Sequence, residues 1–241
     1  DNTAVGYCAL RDNTSGEGNV AIGYCASKAG TGARHNVGIG FRALDSSNTC
    51  GNVAIGYQAA YNQSSGKCNV VIGCRAMYNS AGGDEFVAVG HKAGYSNNAD
   101  YGTVLGTCAL YSNTTGDCNV ATGYLSLYNN VTGGCLVAIG TKALHANTCA
   151  SFSTAVGHET LMSSVSGAEN VAVGFRALCK SNAAGNNAVG ASALRNTTAG
   201  CYNNAFGSAA MYNNTNGHSN DAFGTSALYS NTEGIGNVAV G

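Results

Sequence analysis

The chain has 241 residues, of which 35 are Gly and none is Pro, with 10% charged residues and a net charge of −1. Gly runs well above the usual level of about 7% and charge well below about 25%, which does not describe an ordinary enzyme domain. The near-neutral balance leaves no electrostatic footprint for nucleic acid, 44% hydrophobic content argues against disorder, and the missing Pro excludes a collagen-like triple helix.

No run of 18 apolar residues is present, and Asp1-Asn2-Thr3-Ala4 has no charged-then-apolar leader. Any secretion signal or anchor is therefore expected outside this sequence. The 11 Cys include no CxxC pair, and HExxH is absent. These features argue against a zinc module and suit an oxidising, extracellular setting, although an odd count leaves at least one thiol over.

In chain order, the first predicted element is a strand from Asn2 to Gly6. A second short strand follows at Ala9-Leu10, then a polar turn, Asn13-Thr14-Ser15-Gly16, and the next strand from Asn19 to Gly23. This unit recurs to the last strand, Asn237 to Gly241. Its anchors are Gly6, Gly23, Gly40, Gly56, Gly73, Gly90, Gly106, Gly123, Gly140, Gly157, Gly174, Gly190, Gly207, Gly224 and Gly241, spaced by 16 or 17 residues. A period this short fits neither helical hairpin repeats nor leucine-rich repeats and matches one coil of a narrow β-solenoid.

Strict alternation, as in Val20 and Ile22 against Ala21 and Gly23, is the period-2 signature of a strand. The expectation is that Val/Ile columns fill the interior and that the Ala/Gly column faces out, small enough for another chain to approach closely. Repeated Asn at Asn19, Asn36, Asn52, Asn69 and Asn119 is expected to form amide ladders. Further short strands are predicted at Ala43-Leu44, Ala109-Leu110 and Ala143-Leu144, and turns at Asn113-Thr114-Thr115-Gly116 and Asn231-Thr232-Glu233-Gly234.

The fold class expected is all-β: a repetitive parallel β-solenoid of about 14 coils spanning 1-241 as a single repeat domain. Because solenoid edges are bare without caps, it is expected to be a segment of a longer fibre. The Asn19 to Gly23 and Asn52 to Gly56 strings resemble the repeats in head domains of trimeric autotransporter adhesins, and the longer A-I-G-Y-x-A-L-x-x-N-T-T-G pattern resembles phage and viral fibre repeats. That resemblance implies a left-handed β-roll packed as a homotrimer and displayed on a cell or virion surface.

No catalytic, cofactor or metal site is expected. His35, His91, His145, His158 and His218 fall in different coils; the nearest cluster, His145 with Cys149 and His158, reads as turn and surface residues. Asp84-Glu85 after Gly82-Gly83 does not recur as a calcium nonapeptide repeat.

Cys8 and Cys25 share one phase in consecutive coils, as do Cys118 and Cys135, and Cys50 and Cys68 nearly do. Equivalent residues of stacked coils lie about 4.8 Å apart, inside the Cα range of a disulfide, so these are candidate rivets. Tyr61, Tyr78, Tyr95, Tyr111 and Tyr128 form one aromatic column, and Tyr7, Tyr24, Phe41 and Tyr57 another. Such ladders either stabilise the sheet or an interface or offer a sugar-binding strip.

Sequons at Asn13, Asn62, Asn113, Asn130, Asn196 and Asn213 are candidate surface glycan acceptors in a secretory host. The basic column Arg42, Arg75, Lys92, Lys142 and Arg176, interrupted by Glu159, reads as a solvated edge or interchain contact.

The leading functional expectation is a non-catalytic structural or adhesive segment of an extracellular fibre. It is expected to pair with itself as a homotrimer and to contact surface glycans or a host receptor. The alternative is a monomeric solenoid that binds polysaccharide or ice. An enzyme ranks third, because the 12 acidic residues form no shared column of the kind glycoside hydrolysis requires.

Overall fold

A computed structural model describes residues 1–241, which fall into two compact units, Asp1–Asn119 and Val120–Gly241. Every strand is three residues long, and there is no helix. The first unit carries β1 (Thr3–Val5), β2 (Val20–Ile22), β3 (Val37–Ile39), β4 (Val53–Ile55), β5 (Val70–Ile72), β6 (Val87–Val89) and β7 (Thr103–Leu105). The second carries β8 (Val120–Thr122), β9 (Val137–Ile139), β10 (Thr154–Val156), β11 (Val171–Val173), β12 (Asn187–Val189), β13 (Asn204–Phe206), β14 (Asp221–Phe223) and β15 (Val238–Val240).

Within each unit, consecutive strands pair in parallel and in register. Val20, Ala21 and Ile22 face Val37, Gly38 and Ile39 in the first unit, and Ala155 pairs with Ala172 in the second. Each unit is thus a parallel β-solenoid in which one repeat supplies one strand and one coil.

The side-chain facing is the reverse of the sequence expectation. The strand-centre residues Ala21, Ala54 and Ala88 in the first unit, and Ala138, Ala172 and Ala205 in the second, are fully buried, while Ile22, Ile55, Ile72 and Ile139 are 37–40% exposed. The reason is diameter. A 16- or 17-residue coil leaves room for one large side chain per layer, and the Leu four residues after the anchor occupies it. Leu44, Leu110, Leu144, Leu161, Leu178 and Leu194 are all fully buried, each worth about 1.5–3 kcal/mol of apolar burial.

Exceptions in the alanine column obey the same volume rule. Val71 and Val104 are also fully buried there, and the Leu position of the coil before each has shrunk to Ala60 and Gly94. Conversely, a Cβ on Gly38 would stand 2.5 Å from Ser27 Oγ of the preceding coil. Interiors at crystal-like density permit such exchanges only when total volume is kept.

The predicted second strand at Ala43-Leu44, Ala109-Leu110 and Ala143-Leu144 is instead a turn. Its residues alternate in backbone hand: Arg42 and Leu44 have φ of 54° and 53°, as do Lys142 and Leu144 at 56° and 50°. Left-handed geometry costs a side-chain-bearing residue roughly 1–2 kcal/mol. The two left-handed residues offset that cost by tying the turn to both neighbours: Arg42 N–H donates to Tyr24 O of the coil before and Leu44 N–H to Ala59 O of the coil after.

The anchor glycines have two reasons to lack a side chain. Gly23 has φ +135°, and a Cβ on it would sit 2.5 Å from the carbonyl oxygen of Gly40; Gly157, at φ +136°, stands in the same relation to Gly174. The small face therefore packs against the next coil of the same chain.

The amide ladder runs as expected through Asn2, Asn19, Asn36, Asn52 and Asn69, each Oδ1 accepting the backbone N–H of the next rung. Asn69 Oδ1 accepts from Phe86 N–H, where the side-chain ladder stops. In the second unit it runs from Asn170 through Asn186, Asn203 and Asn220 to Asn237.

Candidate functional site

The outward face of the sheet is the surface that the fold builds most consistently. Strand alternation turns the first and third strand residues out, and the residue after the anchor Gly extends the same face. In the first unit, Val20, Ile22 and Tyr24 repeat as Val37, Ile39 and Phe41 and again as Val53, Ile55 and Tyr57. Tyr24, Phe41 and Tyr57 are 45%, 40% and 45% exposed. Their rings stack with Tyr7 in one column, at centroid separations of 5.4, 5.1 and 5.3 Å. A contiguous apolar strip of this kind is unusual on a solitary soluble chain.

In the second unit the character changes along the chain. Ile139, Val171, Phe206 and Phe223 remain exposed and apolar, but the outer strand column becomes Asn187, Asn204 and Asp221. Asn187 Nδ2 donates to Asn204 Oδ1, and Asn204 Nδ2 to Asp221 Oδ1, both at 2.7 Å.

The tyrosine column predicted from phase is present. Tyr61, Tyr78, Tyr95 and Tyr111 stack at 5.1, 5.5 and 4.7 Å in the first unit, and Tyr128 stacks on His145 at 5.6 Å in the second. These rings are half-buried, and two of them carry an Arg guanidinium. The Arg42 guanidinium donates to Tyr61 Oη at 3.2 Å and lies 5.7 Å from its ring, and Arg75 lies 5.6 Å from Tyr78. So Arg42 and Arg75 brace the start of the aromatic column.

Comparison with protein-family models, curated proteins and solved structures finds no match to this chain.

Cys8 and Cys25 occupy stacked positions, with Cys25 N–H donating to Tyr7 O at 2.8 Å. Cys8, Cys25, Cys50 and Cys68 are thiols in the structure, and the backbones of Cys50 and Cys68 are themselves joined by a 3.2 Å hydrogen bond. Cys118 lies in the first unit and Cys135 in the second. Burial raises the Cys108 and Cys179 thiols above the ordinary thiol value.

The sequons divide into two groups. Asn62, Asn196 and Asn213 lie at the half-exposed surface, whereas Asn113 and Asn130 are fully buried. The expectation of a surface position fails for those two, because their column turns inward. Asn113 Nδ2 donates to Asn97 Oδ1 and Gly116 O, and Asn130 Nδ2 to Gly133 O. Asn13, in the same column, is half-buried and closes its turn through Gly16 in both directions, at 3.0 and 2.9 Å.

His145 and His158 are engaged separately, His145 against Tyr128 and His158 against Phe175, and no cluster of three His, Cys, Asp or Glu side chains is assembled. No helix is long and apolar enough to cross a membrane. The polar edge of the second unit also carries a groove not evident from the sequence, lined in part by Asn196, Thr198, Asn213 and Thr215 of two sequons.

Proposed function

We propose that this chain is a non-catalytic structural segment of an extracellular fibre, assembled with further copies of itself through the outward Val/Ile/aromatic face. A homotrimer is the assembly we favour. The observation that carries the reading is the exposure of Ile22, Tyr24, Ile55, Tyr57 and Ile72, at 37–45% each, in aligned columns. Those side chains gain from burial against another chain, at about 25 cal/mol per Å² of apolar area removed from water, and a closed symmetric assembly lets every copy cover its own strip.

Stiffness supports the same reading. Ladder hydrogen bonds, an amide spine and stacked rings repeat coil after coil, so each repeat is held by its neighbours. The rows of small residues needed for tight coil-on-coil packing leave little side-chain chemistry for catalysis.

Light scattering on the purified chain tests the proposal. A mass close to three times 24.1 kDa is expected, together with a loss of that mass in Ile55→Asp/Tyr57→Asp, two substitutions on the outward face. A stable monomer at high concentration overturns it.

A further inference from the structure

The polar edge of the second unit carries a groove of about 570 Å³ lined by Lys180, Asn196, Thr198, Asn213, Thr215, Ser230 and Thr232. Its walls are two columns. Asn196, Asn213 and Ser230 stand six residues after successive anchors, and Thr198, Thr215 and Thr232 stand eight after them, with the intervening residue turned in. Nowhere else along the chain do three consecutive coils present this Asn/Ser and Thr pair. The corresponding positions of the first unit include Asp12, Ala29, Ala81 and Asn98, and the earlier coils of the second unit include Ala146, Val131 and Val165.

The groove is built from within. Asn196 Nδ2 donates to Asn213 Oδ1 at 3.3 Å, and the hydroxyls of Thr198 and Thr215 donate to Thr215 O and Thr232 O at 3.2 and 3.1 Å. These bonds fix the rotamers while the hydroxyl oxygens remain free to accept. The threonine methyl groups add apolar patches between the polar atoms. No carboxylate lines the groove, and Lys180 Nζ at one end makes no ion pair.

We propose that this groove is a binding site for an uncharged, extended β-1,4-linked glycan chain lying along the stack. The reason is a match of period and polarity. Equivalent groups on successive coils repeat about every 4.8 Å, close to the advance per sugar in an extended β-1,4 chain, so each coil meets one pyranose, with alternate sugars turned over about the chain axis. Each sugar presents hydroxyl edges to the Asn, Ser and Thr groups and C–H patches to the threonine methyl groups. That mixture of apolar contact with a few convergent polar groups is what small-molecule sites offer. A coiled α-1,4 chain cannot keep that register.

The site is independent of the self-assembly proposed above, since it lies on the turn edge and not on the outward sheet face. Titration calorimetry of the whole chain, produced without N-linked glycans, with cellohexaose as the probe is the test. Saturable binding is expected, with amide shifts at Thr198, Thr215 and Thr232 in the unmodified chain. Thr215→Val and Lys180→Ala are each expected to weaken it, Thr215→Val by at least about tenfold. Maltohexaose is expected not to bind. Absence of saturable binding, shifts outside the groove, an unchanged Thr215→Val affinity, or equal binding of maltohexaose overturns the assignment. Light scattering of the same samples reports on assembly separately, so failure of one reading does not mimic failure of the other.

Discussion

The ring of Phe86 occupies the space that a side chain on Gly102 would need: a Cβ built on Gly102 falls inside van der Waals contact of Phe86 Cε2. Both residues stand in the Asn column, at the rungs where the side-chain ladder of the first unit is replaced by an apolar plug. Gly94 completes the arrangement, since a Cβ there would lie 3.4 Å from both Phe86 Cε1 and Met77 Cγ. Gly102→Asn alone is expected to destabilise the first unit by about 3 kcal/mol or more through overpacking of a core with no spare volume. Combined with Phe86→Asn, a large part of that cost is expected to return as coupling. Denaturant midpoints of the single and double variants measure it, and strict additivity would show that the two sites do not share space.

Gln63 is the odd member of the inner turn column. It is fully buried, and neither side-chain atom has a hydrogen-bond partner. The shorter Asn214, at the equivalent position, donates through Nδ2 to Gly217 O at 3.0 Å. Gln63→Asn is therefore expected to stabilise the chain by about 1–2 kcal/mol, the usual cost of a buried polar group left unsatisfied. A thermal melt that moves down would show that the extra methylene of Gln63 is needed for packing.

Each 16-residue coil lacks one turn residue, and an Asn side chain replaces the missing carbonyl. In full-length coils Thr215 O, for example, accepts the amides of Thr198 and Ala199. Where the residue is absent, Asn182 Oδ1 accepts Val165 and Ser166 N–H at 3.0 and 2.8 Å, and Asn98 Oδ1 accepts Ala81 and Gly82 N–H at 2.7 and 3.3 Å. Asn48 does the same for Gly32. Asn182→Ala is expected to cost about 1 kcal/mol and to speed hydrogen exchange at Val165 and Ser166, while Asn182→Asp, which keeps an acceptor, leaves their protection near the parent level. Unchanged exchange in Asn182→Ala would dismiss the substitution of side chain for backbone.

The coil length, the parallel register and the stacked Tyr and Asn columns were legible in the sequence because a strict period brings equal phases together whatever the local geometry. The facing of the strands was not. Alternation at Val20-Ala21-Ile22 states that two faces differ, not which is inside, and side-chain size alone points to the wrong one. What decides is the diameter of the coil, set by the left-handed residues at positions such as Arg42 and Leu44, whose identities give no sign of that conformation. The same blindness hid the burial of Asn113 and Asn130, because an Asn in a polar turn and an Asn turned inward read alike. The groove at Asn213 and Thr215 was written in the sequence as a repeated Asn-x-Thr, yet its concavity depends on the turn path.

The inverted facing makes a paired prediction on adjacent residues of β4. Ala54 is fully buried and Ile55 is 37% exposed. Ala54→Val is expected to cost about 1–3 kcal/mol, because its coil neighbours Ala59 and Ala60 are themselves fully buried and extra methyl groups strain a packed core. Ile55→Thr is expected to change the stability of the isolated chain by less than about 0.5 kcal/mol while lowering the mass seen by light scattering. If the two effects exchange places, the Val/Ile column is the interior after all.

Acid sensitivity is expected in two separate windows. Neutral His145 is favoured by burial and by the nearby Lys142 cation, which lower its pKa below the ordinary value; the unfolded chain therefore binds the proton more readily, and stability falls as pH drops below about 6.5. Glu159 is held ionised by the Arg176 guanidinium, whose Nε donates to its Oε2 at 2.6 Å, and its pKa is lowered. Its contribution is complete above about 4.3, the unfolded value, and is lost as pH falls through the lower folded value. His145→Phe keeps a ring on Tyr128 and is expected to flatten the first step only, while Glu159→Gln flattens the second only. Denaturant unfolding from pH 8 to pH 3 separates them, and a His145→Phe profile that keeps the upper step would assign it to another histidine.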